Sequence, residues 1–452
     1  MIGGLRRLGE WLTRLSQRYL PDPFIFAILL TLLVAALALS LTPSGLSEVV
    51  GAWYKGFWEL LTFAMQMVLI LITGFALASA PLVRSGLRRL VTLPRTGPGV
   101  VALVGLAAAL LGWLNWGLGL IAGAIMAREA ALAARLRGIA VHYPLLAAAG
   151  YSGLAVWHGG FSGSAPLTAN TTGPGNFMLE EIGRIVPLSE TILTPMNLTL
   201  TLAAFGLIPA LLFLLHPPAA ESRGIAGGEM EEGREEDSHA GREPLTPARR
   251  LEESRLLAWI IVLGGLSYLV PFFIKSGLSR LDLNSIIFIF LILGLALHGT
   301  PMAYARAFAG GTRAASGIIL QFPFYAGIMG IMKYTGLVGV IAGWFVAFST
   351  PQSFPFWTLV SAGLVNLAVP SGGGQFAVQG PVIVEAAHTL GVPVGKAIMA
   401  LSYGDELTNL IQPFWALPLL GITGLKAGEV MGYTATLMLF LFLLMATVLF
   451  IF

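Results

Sequence analysis

The chain contains no cysteine, which excludes disulfide staples, thiolate metal sites and cysteine nucleophiles. Charge is scarce as well. Asp, Glu, Lys and Arg make up 11% of the 452 residues, against about a quarter in ordinary soluble domains. A soluble globule of this size would need far more charge on its surface. The remainder is apolar: 56% of residues are hydrophobic, gathered in recurring segments of about 20, the length that crosses a hydrocarbon core of about 30 Å. The first segment is Phe24 to Leu41 and the last is Tyr433 to Phe452. A cleavable leader is not expected, because Arg6, Arg7, Arg14 and Arg18 precede a full-length span with no small-residue cleavage site. No Walker-type phosphate loop occurs, which argues against ATP as the direct drive. No nucleic-acid partner is expected, and no cofactor.

The expected fold class is an all-α polytopic membrane protein. Residues 217–254, from Pro217 to Ser254, are polar, glycine-rich and charged with both signs. Such a stretch cannot bury enough apolar surface to offset its ordering entropy, so it reads as a flexible linker. It separates a first unit, 1–216, from a linking helix at 255–275 and a second unit, 280–452.

The two units echo each other. Asp22 and Asp282 open equivalent spans, and Tyr54 answers Tyr304. Asn115 to Glu129 and Ser371 to Glu385 both span 14 positions, while Tyr151 to Pro166 and Tyr403 to Pro418 both span 15. The matches fall on Pro, Asn, Ser, Tyr and Glu rather than on Leu, so they point to an internal duplication. Each unit has an even number of crossings, and the single linking helix turns the second upside down, giving inverted repeats. Charge placement agrees. With the N-terminus cytoplasmic, the inner loops hold 20 of the 26 lysines and arginines, as the positive-inside rule requires.

Two kinds of backbone break recur. Asn115-Trp116-Gly117 interrupts one apolar run and Val369-Pro370-Ser371-Gly372-Gly373-Gly374-Gln375 interrupts its twin. Proline removes a donor and glycine has the highest backbone entropy, so each run reads as a re-entrant helical hairpin with its polar tip near the midplane. Two full spans joined by a kink are the alternative. After the hairpins come YSGLAVWHGGFSGSAPL, from Tyr151, and YGDELTNLIQPFWALPL, from Tyr403. The first is broken from His158 to Pro166. The second carries Asp405, Glu406, Thr408, Asn409, Gln412 and Pro413. Irregular backbone at membrane depth must line a protein cavity, and carboxylates there cost about 2.5–3.5 kcal/mol each on insertion scales unless paired or wet. Tips and broken helices are therefore expected to enclose a hydrophilic site. The bland readings are a histidine satisfying a carbonyl, and carboxylates at an aqueous mouth. Glu129 and Glu385 are expected to face water at hairpin ends, and Trp157, Trp344, Trp357 and Trp415 to serve at interfaces or in packing.

The stretches NWGLGLIAGAIMARE, GYSGLAVWHGGFSGSAPL, VPSGGGQFAVQGPV and YGDELTNLIQPFWALPLL closely resemble those of the bacterial short-chain fatty acid transporter family. The resemblance runs from about Tyr19 to the C-terminus, the charged linker excepted. It implies a carrier of acetoacetate- or butyrate-class acids in the bacterial inner membrane. It also implies the paired hairpins of an ion transporter superfamily, a scaffold with an elevator-type transport domain, and a homodimer.

The expected function is secondary transport of a small monocarboxylate. Substrate contacts are expected from Asn115, Trp116, Ser162, Ser164, Ser371, Gly372, Gly373, Gln375, Thr408 and Asn409, with Phe161, Phe376 and Phe414 as apolar walls. Arginine, the bidentate clamp expected of a dicarboxylate carrier, occurs at no break. Coupling falls to a proton at Asp405, Glu406 or His158, or to sodium at Asn115, Ser371 and Asn409. A hydrolase built on His158 and Ser162 fails the G-x-S-x-G pattern, because Ser164 stands where the second glycine belongs. A passive channel is disfavoured by apolar hairpins across the midplane.

Overall fold

The computed structural model describes residues 23–225 and 246–452. The arginines of residues 1–20, Asp22, linker residues 226–245 and the side chain of Phe414 lie outside that set. Among the described residues every regular element is helical. α1 (Pro23–Leu41) leads through α2 (Leu46–Gly56), α3 (Leu61–Ser79) and α4 (Pro81–Leu90) to a hairpin, α5 (Gly97–Leu114) and α6 (Trp116–Leu136). α7 (Tyr143–Tyr151) runs into a 3-10 turn at Ser152–Ala155, and α8 (Ser164–Asn170) resumes beyond a non-helical stretch. The short α9 (Leu179–Ile182) precedes α10 (Pro195–Leu214). Then come α11 (Pro247–Glu252), α12 (Arg255–Ser276), α13 (Leu283–His298), α14 (Pro301–Tyr334) and α15 (Leu337–Phe348). A second hairpin, α16 (Phe354–Asn366) and α17 (Gly372–Leu390), is followed by a broken pair, α18 (Val394–Asn409) and α19 (Pro413–Thr423), and by α20 (Ala427–Ile451). Among the described residues, 8 helices are long and apolar enough to cross a membrane. The chain is a multi-pass membrane protein.

The helix starts follow from local chemistry. Thr96, Thr194, Asp282 and Thr300 each accept the amide three residues on, and Pro98, Pro195 and Pro301 occupy first-turn positions where a missing N–H costs nothing. The same order recurs: hairpin, broken helix, long helix.

Packing divides the helices into two groups. α1, α2, α3, α12, α13 and α14 pack on one another; both hairpins, both broken pairs, α10 and α20 pack on one another. The groups meet where α3 touches α6 and where α14 and α15 touch α17. Within the second group, backbones approach at glycine. A Cβ on Gly112 would strike Gly153, and one on Gly123 would strike the Gly150 carbonyl, the small-residue contact typical of membrane helices. In the first group α3 and α14 run antiparallel, with Phe63 against Phe322 (ring centroids 5.7 Å apart) and Phe75 against Gly310 and Gly311.

Polar contacts sort the loops into two sets. At one end Arg88 pairs with Glu129 (3.0 Å), Arg137 donates to Thr92 O (2.8 Å), Tyr143 donates to Thr423 O (2.9 Å) and Arg223 pairs with Glu429. At the other end Lys333 pairs with Glu180 (2.9 Å), Tyr334 bonds Glu59, and Asn170 donates to Leu281 O (2.7 Å). Both hairpin tips stop between these ends. Asn115 Nδ2 lies 3.5 Å from Ile70 O, halfway along α3.

Two expectations are corrected. Gly372, Gly373 and Gly374 do not interrupt a helix; they form the first turn of α17. First-turn amides have no intrahelical partner in any case, so the break falls one step earlier, at residues 367–371. Likewise Asp405, Glu406, Thr408 and Asn409 belong to the regular last turns of α18, and the break lies at residues 410–412. Pro166 and Pro413 also sit in first turns rather than at interruptions.

Candidate functional site

A small cavity lies where the tips, the breaks and the α3–α14 group meet. Its polar lining is Ser164, Ser371 and Asn409 with the backbone of Gly372 and Gly373. Its aromatic lining is Trp116, Trp157, Trp415 and Phe322, closed by Met67, Leu154 and Ile318. The indoles form a cluster, Trp116 lying 6.1 Å from Trp157 and 5.4 Å from Trp415 between ring centroids. The cavity volume is about 20 Å³, room for a water or an ion. The walls must part slightly to admit a carboxylic acid.

Six expected contact residues meet at this cavity: Trp116, Ser164, Ser371, Gly372, Gly373 and Asn409. The other four support it from behind. Asn115 caps α6, its Oδ1 accepting the Leu118 amide at 2.9 Å, and Ser162 Oγ accepts the Trp116 amide at 2.9 Å. Gln375 donates to Ala362 O (2.8 Å) across the second hairpin, and Thr408 donates to Gly363 O (3.1 Å). Ser371 caps α17 as Asn115 caps α6, taking the Gly374 amide at 3.3 Å. Of the residues named for sodium, Asn115 and Ser371 thus use their side-chain oxygens as caps, and Asn409 Oδ1 accepts from Asn366 Nδ2 at 2.8 Å. Phe161 packs on Trp113 and Phe376 on Phe177, both away from the lining.

Three helices of eight residues or more start at the cavity: α6 at Trp116, α17 at Gly372 and α19 at Pro413, with Trp415 in its first turn. Their positive dipole ends lie at the cavity, while the amides of Trp116, Leu118 and Gly374 are taken by Ser162, Asn115 and Ser371. The triple glycine lets the second tip enter. A Cβ on Gly372 would meet Trp157 and His158, and one on Gly373 would meet the Phe63 ring at 2.5 Å. Among the described residues, Ser164 Oγ has only the weak acceptor Met67 Sδ at 3.4 Å, and the buried Trp157 Nε1–H has no partner.

Beside the cavity His158, Asp405 and Glu406 are buried together. His158 Nδ1 lies 2.8 Å from Asp405 Oδ2, and the His158 amide donates to Glu406 Oε2 at 2.8 Å. Trp157 stacks on the imidazole at 4.3 Å. Asp405 is 0% and Glu406 2% exposed, so neither stands at an aqueous mouth. No lysine or arginine is paired with either carboxylate among the described residues. Glu385 is exposed, and Glu129 is partly exposed and paired with Arg88. Sequence reasoning missed Trp157 and Trp415 as site residues and did not single out Asn366. Asn366 donates to Asp405 O (2.6 Å), Thr408 Oγ1 (2.9 Å) and Asn409 Oδ1, tying the second hairpin to α18. For Trp157, adjacency to His158 was the available signal.

A multi-pass helical fold with hairpin tips and broken helices around an internal cavity is the architecture of a membrane transporter. The YdaH transporter of Alcanivorax borkumensis shares it, with a TM-score of 0.63 at 18% identity over 95% of this chain and 98% of that one. So does MtrF of Neisseria gonorrhoeae, described within a class of antimetabolite efflux pumps, with a TM-score of 0.59 at 17% identity over 99% and 97%. The pattern of the short chain fatty acid transporter family matches residues 4–452, and the chain belongs to that family. A relative in Escherichia coli (strain K12) is 42% identical over 440 residues, 97% of each chain. One in Haemophilus influenzae is 40% identical over 442 residues, 96% of this chain and 97% of that one. Both carry the name "Putative short-chain fatty acid transporter". These relatives are transporters, not enzymes.

Proposed function

We propose that the protein is a cation-coupled carrier of short monocarboxylates, with the carboxylate held at the starts of α6, α17 and α19. The observation that carries this reading is the convergence of three positive helix ends on one cavity whose lining contains no lysine or arginine. Each helix start favours an anion by about 0.3–1 kcal/mol at an exposed site and up to about 2 kcal/mol when partly buried. One carboxylate is well served by such a field; a second would find apolar indoles. Ser164, Trp157 Nε1 and the Gly372 and Gly373 amides are the donors. Trp116, Trp415 and Phe322 receive a short alkyl tail.

Coupling to a cation follows from Asp405 and Glu406. Two buried carboxylates cost several kcal/mol each when ionised without a counter-charge, so the loaded site takes up a proton or a sodium ion. The antiparallel run of α3 and α14, equivalent elements of the two units, supports the inverted-repeat reading. The division into two helix groups supports an elevator-type motion. The group bearing tips and breaks would carry the site, and Met67, Ile318 and Phe322 would form the stationary wall. The charge bias supports a cytoplasmic position, in an inner membrane, for the end bearing Arg88, Arg137 and Arg223; the α1–α3 and α14 group would seat a homodimer.

The test is uptake of radiolabelled butyrate into proteoliposomes under an imposed pH or sodium gradient, with protein-free vesicles subtracted. Saturable, gradient-driven accumulation and counterflow are expected. Flux that never saturates and never exceeds equilibrium would reduce the protein to a channel.

A further inference from the structure

We infer that the coupling ion is a proton carried on Asp405 Oδ1, and that Asp405 and the substrate carboxylate compete for the start of α17. This rests on the carboxylate reading above and names its coupling chemistry.

The hydrogen bonds of His158 decide which group can carry the proton. Its Nε2 lies 3.1 Å from the Ala165 amide, which donates to it. That nitrogen therefore holds no hydrogen, and the ring proton sits on Nδ1, donated to Asp405 Oδ2 at 2.8 Å. A second proton on the ring would set two N–H groups against each other and break the contact that starts α8. His158 is thus a neutral positioning residue, fixed by the backbone on one side and by Trp157 stacked on its face. Glu406 Oε2 is committed to the His158 amide at 2.8 Å. Asp405 Oδ1 is different. It is fully buried and meets no donor among the described residues, the expected setting for an oxygen that binds and releases a proton.

Among the described residues, the groups facing Asp405 leave no other counter-charge. From the first break comes neutral His158; from α16, the Asn366 amide, on the Asp405 carbonyl at 2.6 Å. Its own helix supplies Glu406 and Tyr403, whose hydroxyl donates to Asn197 Oδ1. From α17 comes Gly372, whose Cβ position lies 3.1 Å from Asp405 Oδ2.

That last contact links proton to substrate. An ionised Asp405 places its own negative charge against the first residue of α17, where it takes up the positive end of the helix and repels an arriving anion. Protonated, it frees that position. A proton entering from the more acidic side neutralises Asp405, one carboxylate takes the start of α17, and both leave on the other side. No net charge moves, so accumulation follows the pH gradient and ignores membrane voltage.

Reconstituted wild type and Asp405→Asn would be compared for butyrate counterflow and for accumulation under a pH gradient, a potassium–valinomycin voltage and a sodium gradient. Asparagine can still accept from His158 Nδ1 and puts N–H groups where the bound proton would be. In this variant pH-driven accumulation should fall at least tenfold, and exchange should lose its pH dependence. In wild type, trapped pyranine should report about one proton per butyrate, a readout independent of whether the variant folds. Accumulation driven by sodium alone at equal pH, or by voltage, or undiminished in Asp405→Asn, would overturn the inference while leaving the carboxylate reading intact. Absence of wild-type counterflow would remove both.

Discussion

Tyr151 and Tyr403 each brace the broken helix of the other half. The Tyr151 hydroxyl donates to Asn409 O at 2.9 Å and lies 3.3 Å from Gln412 O, across the second break. The Tyr403 hydroxyl donates to Asn197 Oδ1 at 2.9 Å. Asn197 in turn donates to Gly159 O (2.8 Å) in the first break and to Ile192 O (2.7 Å). The unwound carbonyls are thus satisfied by side chains, which lets non-helical backbone persist at this depth.

Asn197→Ala should therefore be among the most damaging changes outside the cavity lining. It leaves Gly159 O, Ile192 O and the Tyr403 hydroxyl short of a partner, at about 1–3 kcal/mol for each group left unsatisfied. A melting temperature several degrees lower in detergent is expected, with a matching loss of uptake. A wild-type melting curve would show that Asn197 does not hold the break.

Gly373→Ala tests the fit of the second tip. Its Cβ would stand 2.5 Å from Phe63 ring carbons, an overlap costing about 1–3 kcal/mol where the ring cannot move. Uptake should fall tenfold or more. Phe63→Leu combined with Gly373→Ala should recover part of it, because the two positions share one space. Rescue absent from the double variant would mean the tip is not confined by that ring.

Ser371→Ala and Asn115→Ala should each remove an N-cap, at about 1 kcal/mol of stability. Ser371→Asn and Asn115→Ser keep a capping oxygen and should keep most of the stability, measured by thermal unfolding. Equal losses in the alanine and capping variants would show that the side chains act on something other than helix starts.

A pH effect is expected at the end where the linker leaves α10. His216 Nε2 accepts the His142 amide at 3.2 Å. Burial first of all holds the imidazole below its usual pKa, opposed by its bond to Pro217 O. A histidine whose folded pKa is depressed contributes stability above its unfolded value, about 6.5, and loses it as pH falls toward the folded value. Acidification from about pH 7.5 to pH 5 should lower the wild-type melting temperature. His216→Gln, whose Oε1 can still take the His142 amide, should show a flatter profile. Parallel profiles would exclude His216 as the group responsible.

The spans and breaks were legible because their signals are local. Asn-Trp-Gly and Val-Pro-Ser-Gly-Gly-Gly disrupt otherwise apolar runs. The role of each polar residue was less legible, since it depends on partners far along the chain. Nothing near His158 announces that its ring faces Asp405, 247 residues away. Asn115 and Ser371 read as substrate donors because they are polar at a tip, yet a polar residue directly before a helix start serves first as its cap. The three glycines read as breakers, although a first turn tolerates them. The continuous 34 residues of α14 were equally hidden. In the first unit α2 stops at Gly56 and α3 starts at Leu61, whereas α14 runs on through Gly310 and Gly311, which pack against Phe75.

One helix stands apart from this network. α12 leans on α13, with slighter contact to α14, and is clear of the tips and breaks; only Ala258, Val262, Gly265 and Leu269 along it are buried. Its identity is therefore largely interchangeable. An unrelated apolar stretch of the same length, keeping small residues where Ile292 packs on Gly265, should serve as well. The helix supplies a passage at a fixed place in the chain, and its side chains are free to drift with the surrounding bilayer.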